Sequence, residues 1–317
     1  SRIHHQARIP DMDTGLLLIQ LLNGLQLGIL LFLLAAGLTL VFGIMDFVNL
    51  AHGSLYMMGA FFCATLAQLT GSFLLAIFLS IPAVILLGIV VEMIAVRTLY
   101  SRDHLDQVLA TFGLILFFDG LVHLFWGTSG MTVPLPDWLE GQVEIGTFVF
   151  PSFRILIIAT GLLVALGLYL VVTRTRIGML IRAGASNRTM VGALGIDVKT
   201  LFTLVFAGGA ALAGLAGMMI APITEASIGM GNQIIIVAFV VIIIGGIGSI
   251  KGAFIAALIV GLIDTLGRSF LDDLLTVAMS TEAAETAAPA LSAMLIYILM
   301  AAILAFRPQG LFPPKGR

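Results

Sequence analysis

The strongest constraint on this chain is a repeated one. Again and again it presents runs of about 20 apolar residues, the length a helix needs to cross a hydrocarbon layer about 30 Å thick. Nine such runs can be marked, at 15–43, 53–69, 73–96, 107–126, 153–173, 200–221, 233–249, 252–267 and 290–306. Only Ile250 and Lys251 separate the seventh from the eighth, so the sequence allows eight or nine full crossings. The first run is long enough to require tilt or a break. Of 317 residues, 60% are hydrophobic and 10% charged. Soluble domains carry about 25% charge, and no water-soluble core can absorb this much apolar surface. The expectation is an all-α, polytopic transmembrane bundle with some spans broken or re-entrant. It comprises a polar tail at 1–14, one membrane domain at 15–306 and a C-terminal tail at 307–317.

Charges between the runs are distributed unevenly. Segment 174–199 carries Arg174, Arg176, Arg182, Arg188 and Lys199 against Asp197 alone, and 97–106 carries Arg97 and Arg102. The end of the chain adds Arg307, Lys315 and Arg317. Segment 127–152 has no Lys or Arg but has Asp137, Glu140 and Glu144, and 268–289 sets Arg268 against four acids. Short cytoplasmic loops are rich in Lys and Arg. The basic segments and the C-terminus are therefore expected in the cytoplasm, the acidic loops and the N-terminus outside. Met12 is a candidate start, and His4–His5 reads as tail. The near-neutral net charge of −2 excludes a basic field for nucleic acid. The single cysteine, Cys63, excludes an internal disulfide framework and reads as a packing residue.

Glycine is abundant, with 35 residues, several at close-approach spacing: Gly24/Gly28, Gly248/Gly252 and a small-residue face at 208–217. In lipid, small residues let helices pack backbone to backbone.

Four ordered stretches resemble the branched-chain amino acid permease family of ATP-binding-cassette importers, of the LivH type. They are Asn23-Gly24 through Gly43 and on to Asn49-Leu-Ala-His52-Gly53-Ser54; Thr175-Arg-Ile-Gly178 with Arg182, Asn187 and Gly195, followed by 206–217; Ala238-Phe239 with Gly245-Gly-Ile-Gly-Ser249 and Gly252; and Phe306-Arg-Pro-Gln-Gly310-Leu-Phe. Each alone is weak, but together they span nearly the whole chain. The resemblance implies a subunit that pairs with a second related permease, two cytoplasmic ATP-binding subunits and an extracytoplasmic solute-binding protein. It also implies a bacterial-type inner membrane and no cofactor. The chain itself has no Gly-x-x-x-x-Gly-Lys-[Ser/Thr] loop for ATP. Ser54 stands where close branched-chain members often carry Glu, and Val237 where they often carry Lys. Other relatives handle other amino acids, urea or short amides, and aromatic carboxylates.

The resemblance makes 174–199 the ATPase-coupling segment, carried by Gly178, Arg182, Asn187 and Gly195. A short amphipathic helix over 178–194 would offer Met179, Ile181, Met190, Val191 and Leu194. An ordinary basic loop is the plainer reading of Arg174 and Arg176. Asn49, His52 and Ser54 interrupt two apolar runs, which fits either a gate on the solute path or a cytoplasmic turn. Asn232 and Gln233 are further pathway candidates, and Glu225 reads as a solvated loop charge. Intramembrane ionisable groups invite a functional reading. Asp119/His123 or Asp264 would therefore carry protons in a rival secondary transporter, whereas i,i+4 pairing of Asp119 with His123 and of Asp264 with Arg268 is the structural reading. Glu92 and Arg97 are expected to snorkel, and Trp126 and Trp138 to anchor at an interface. No convincing repeat is legible. A membrane enzyme is the least favoured rival, because no nucleophile, base or metal cluster converges.

Overall fold

The computed structural model describes residues 14–145, 148–277 and 279–314. Residues 1–13, with Arg2, His4, His5, Arg8 and Met12, lie outside the described residues, as do Lys315, Arg317 and the side chain of Arg188.

Helices dominate because the apolar runs can satisfy every backbone group internally. Their order is α1 (Thr14–Met45), α2 (His52–Thr70), α3 (Phe73–Ile94), α4 (His104–Trp126), the short α5 (Asp137–Glu140), α6 (Ser152–Arg174), α7 (Arg176–Ala193), α8 (Val198–Thr224), α9 (Met230–Gly245), α10 (Ile250–Leu275) and α11 (Thr281–Phe306). Among the described residues, seven are long and apolar enough to span, and α9 is shorter. Between α5 and α6 stands an antiparallel hairpin, β1 (Gln142–Ile145) and β2 (Phe148–Pro151), with Gln142 opposite Pro151 and Ile145 opposite Phe148. Side-chain caps fix several starts: Ser72 accepts from the Leu75 amide, Asp103 from Asp106 and Ser249 from Gly252.

Four expectations change. The first run is neither broken nor shortened: α1 is a continuous 32-residue helix, about 48 Å long, and the break follows it at 46–51. Segment 268–289 is not an open loop, because α10 continues to Leu275 and α11 begins at Thr281. The C-terminal segment is not a free tail. The Leu311 and Phe312 amides donate to the carbonyls of Ile244 and Gly245 at 2.8 and 3.0 Å, and Gly310 turns with φ +82° against Gly246. The fourth change is an internal repeat.

The repeat is one of topology. A long helix, an extended break, a short helix and two long helices occur as α1–α4 and again as α8–α11. Helix α1 of the first unit runs antiparallel to α10 of the second, with Gly43 against Gly248, Gly28 against Leu258 and Gly24 against Leu262. Likewise α8 of the second runs antiparallel to α3 of the first, through Gly214 against Val84 and Ala210 against Gly88. The units are inverted. Gly184 of α7 touches both Ile44 at the end of α1 and Leu201 at the start of α8. The chain therefore has an elbow end, holding α7, residues 97–103 and the C-terminal segment, and a hairpin end. The core lies where α1, α2, α8 and α9 meet, and Cys63 is buried within it.

Candidate functional site

Each repeat breaks at an acidic residue with positive φ, Asp46 at +52° after α1 and Glu225 at +65° after α8. A non-glycine residue in this region is uncommon. Here it ends a long helix so that the chain can turn back toward the core. In the first break, Gln107 and Thr111 of α4 accept from the amides of Val48 and Leu50, at 3.1 and 3.3 Å. In the second, Met131 and Ala226 exchange amide–carbonyl bonds of 2.8 Å. The short helices α2 and α9 then start in contact. Gly53 and Gly231 meet so closely that a Cβ on either would collide with the other's backbone.

This arrangement buries the first group of pathway candidates. Asn49 and His52 are 0% exposed and Ser54 is 2%. These three side chains are therefore held inside the protein, although Asp46 is exposed. His52 pairs through Nε2 with the Leu34 carbonyl at 3.2 Å. Its Nδ1, both polar atoms of Asn49 and the Ser54 hydroxyl have no partner among the described residues. Four buried orphans in one place are costly in a dry core and form a polar seam at the junction of the repeats. Asn232, in the first turn of the repeat-related helix α9, donates to Asp119 at 3.0 Å.

Asp119 thus pairs across the bundle and not with His123 along its own helix. Asp264 does pair with Arg268 as the spacing predicts, in two bonds of 3.0 and 2.9 Å. Glu92 does not snorkel. Its side chain is fully buried, receives Arg97 at 2.9 Å and accepts from Tyr100 and Thr203, each at 2.8 Å. This network ties α3 to the start of α8. Trp126 turns inward, donating to Thr65 at 2.8 Å with its ring against Phe61, whereas Trp138 is exposed.

A cavity of about 560 Å³ lies beside the seam, between α1, α2, the second break, α10 and α11. Its apolar wall includes Leu27, Leu31 and Val260, and its polar groups are Tyr56, Thr224, Ser227, Gln233, Tyr297 and the Asp264–Arg268 pair. Of the pathway residues read from sequence, Gln233 alone lines it. Tyr56, Thr224 and Tyr297 were missed, since nothing in their local sequence marks them as convergent. The cavity offers an anion, a cation, neutral hydrogen-bonding groups and an apolar wall.

At the elbow end, α7 is bent at Asn187, whose φ of −157° and ψ of 94° leave the helix. The Asn187 side chain accepts from the Met190 amide at 2.9 Å and so caps a second short turn. Thr175 caps the start by accepting from Gly178, and Gly195, with φ +84°, ends the element. A Cβ on Gly178 would collide with the carbonyls of Val171 and Val172. Gly178, Asn187 and Gly195 therefore shape the elbow. Ile181 packs against the core, Val191 is buried, Met179, Met190 and Leu194 are exposed, and Arg182 lines a separate cavity.

A bundle of long apolar helices, built of inverted repeats with broken helices meeting at its core, defines a polytopic membrane permease. The family described as the branched-chain amino acid transport system permease component matches residues 20–304, and this chain belongs to it. The chain is 33% identical over 270 residues to the high-affinity branched-chain amino acid transport system permease protein BraD of Pseudomonas aeruginosa, covering 80% of this chain and 87% of that one. It is 29% identical to the corresponding LivH protein of Escherichia coli K12, covering 92% and 96%. It is 25% identical to the ribose import permease protein RbsC of Haemophilus influenzae over 73% of this chain and 72% of that one. No solved structure matches.

Proposed function

We propose that this subunit forms one half of the pathway of an ATP-driven importer, and that its solute is a zwitterionic amino acid with an apolar side chain. The observation that carries the solute class is the cavity beside the seam. The Asp264 carboxylate and Arg268 guanidinium lie 2.9 Å apart, next to an aliphatic wall. A zwitterion entering there can exchange partners with the pair, its ammonium on Asp264 and its carboxylate on Arg268, while the aliphatic wall takes the side chain. Gln233 and Thr224 supply neutral hydrogen bonds. Family membership and the names of the relatives favour the same class.

The elbow end is assigned to the cytoplasm, because the basic segments gather there and the acidic ones at the hairpin end. The membrane is then the inner one of a bacterial-type cell, with the C-terminus cytoplasmic. The partners are a second related permease, two ATP-binding subunits at the elbow and a solute-binding protein at the hairpin end. The exposed apolar groups of α7, Met190 and Leu194, enter a groove of the ATPase as an amphipathic helix does. Arg182, exposed on the same element and lining the neighbouring cavity, is a further candidate for the coupling contact. Met190→Asp in the assembled complex should leave solute binding intact and reduce solute-stimulated ATP hydrolysis at least tenfold. Unchanged stimulation would remove α7 as the coupling element.

A proton-driven carrier is less well served by the geometry. Asp264 is held by Arg268 and Asp119 by Asn232, so neither carboxylate stands as an isolated proton site.

A further inference from the structure

A second cavity, of about 640 Å³, lies at the elbow end between α1, α6, α7 and the start of α10, away from the seam and the solute cavity. Along α1 it runs from Phe32 to Ile44, about 18 Å of helix axis. Its walls are apolar through most of that depth, including Phe32, Leu40, Val172 and Phe254. The α6 wall continues into a face that exposes Leu163, Leu166 and Leu170, the kind of surface acyl chains cover.

Among the described residues, two cations stand on its lining, Arg182 of α7 and Lys251 of α10. Lys251 is the second residue of its helix, and the first turn of α10 has no acidic side chain. A cation at the positive end of a helix is unfavourable unless an anion joins it. Its Nζ sits 5.4 Å from the Phe312 ring centroid, which places it beside the docked C-terminal segment. The cavity also contains an independent sign of a missing partner. Thr39, 1% exposed, lines the wall, and its buried hydroxyl has no hydrogen-bond partner among the described residues.

We propose that this cavity binds an anionic phospholipid, with an acyl chain along α1 and α6, the phosphate between Lys251 and Arg182, and an ester oxygen on the Thr39 hydroxyl. The depth and apolar lining require a chain, and the paired cations require an anionic head. A neutral detergent or a free phosphate meets only half of this. The site lies where a basic pocket between helices meets the anionic leaflet.

The test is lipid retention by the purified full chain, or by its complex, in bilayers of phosphatidylcholine mixed with phosphatidylglycerol, read by native mass spectrometry. The parent chain retains phosphatidylglycerol in preference. Lys251→Gln lowers that preference about fivefold, the double variant with Arg182→Gln abolishes it, and Lys251→Arg keeps it. Ala165→Phe, which fills the cavity without changing charge, lowers retention of both lipids. Equal retention of the two lipids by the parent overturns the proposal. So does equal loss in Lys251→Arg and Lys251→Gln, parental retention in Ala165→Phe, or displacement of the lipid by inorganic phosphate.

Discussion

Gly53 and Gly231 show how much rests on single residues here. Each begins a short helix, and each leaves room for the other's backbone. Gly231→Ala should destabilise the chain by at least the 1–3 kcal/mol typical of overpacking. The check is thermal unfolding in detergent, with Gly113→Ala as control, because a Cβ there meets nothing within 4 Å. Glu92→Gln should also cost about 1–3 kcal/mol, by leaving Arg97, Tyr100 and Thr203 poorly matched around a buried site. A Tyr100→Phe/Glu92→Gln cycle should show non-additivity. Asp197 gives a pH prediction. Hydrogen bonds from the Thr200 side chain and amide hold its carboxyl below the usual range. The bound carboxylate therefore adds stability above the ordinary aspartate pKa, and this is lost as pH falls through the depressed value. Asp197→Asn should flatten the acid limb of a stability–pH curve. Little of this was legible in sequence. An i,i+4 rule found Asp264–Arg268 because both residues share one helix face. It misassigned Asp119, whose partner Asn232 is remote in sequence and arrives only through the second break.

Elements were legible where hydropathy alone decides them. All nine apolar runs became helices in order, and Gly24/Gly28 became a seam against α10. Errors arose where polarity and helix propensity disagree. Residues 281–289 carry Glu282 and Glu285 and so read as loop, but Ala and Glu are strong helix formers, and α11 begins at Thr281. Likewise, the 127–152 segment hides a hairpin whose short strands carry too little pattern to declare themselves. The elbow was visible as a basic amphipathic stretch, but its bend was not, because Asn187 acts by leaving helical geometry and capping Met190. Asn187→Ala should cost about 1 kcal/mol through the lost cap and should tend to straighten α7. Spin labels at exposed positions 179 and 190 would then report a longer and narrower distance distribution than in the parent.

At the scale of the molecule, the inverted repeat explains why two broken helices meet at the core with opposite direction. It was invisible in sequence because it lies in the order and packing of the helices, which local hydropathy does not report. The two units interlock, α1 lying along α10 and α8 along α2 and α3, and the polar seam sits inside that contact. The solute cavity opens at the edge of that seam, and the elbow lies at the opposite end of the same helices. On the proposed reading, ATP hydrolysis by partner subunits at the elbow acts on the solute site through these long helices. The most direct measurement is uptake of radiolabelled leucine by proteoliposomes holding the full complex, with the solute-binding protein outside and ATP inside. The account predicts uptake that requires ATP, survives collapse of the proton gradient, and falls at least tenfold in Asp264→Asn. Uptake that persists without ATP and stops when the proton gradient is collapsed would contradict it.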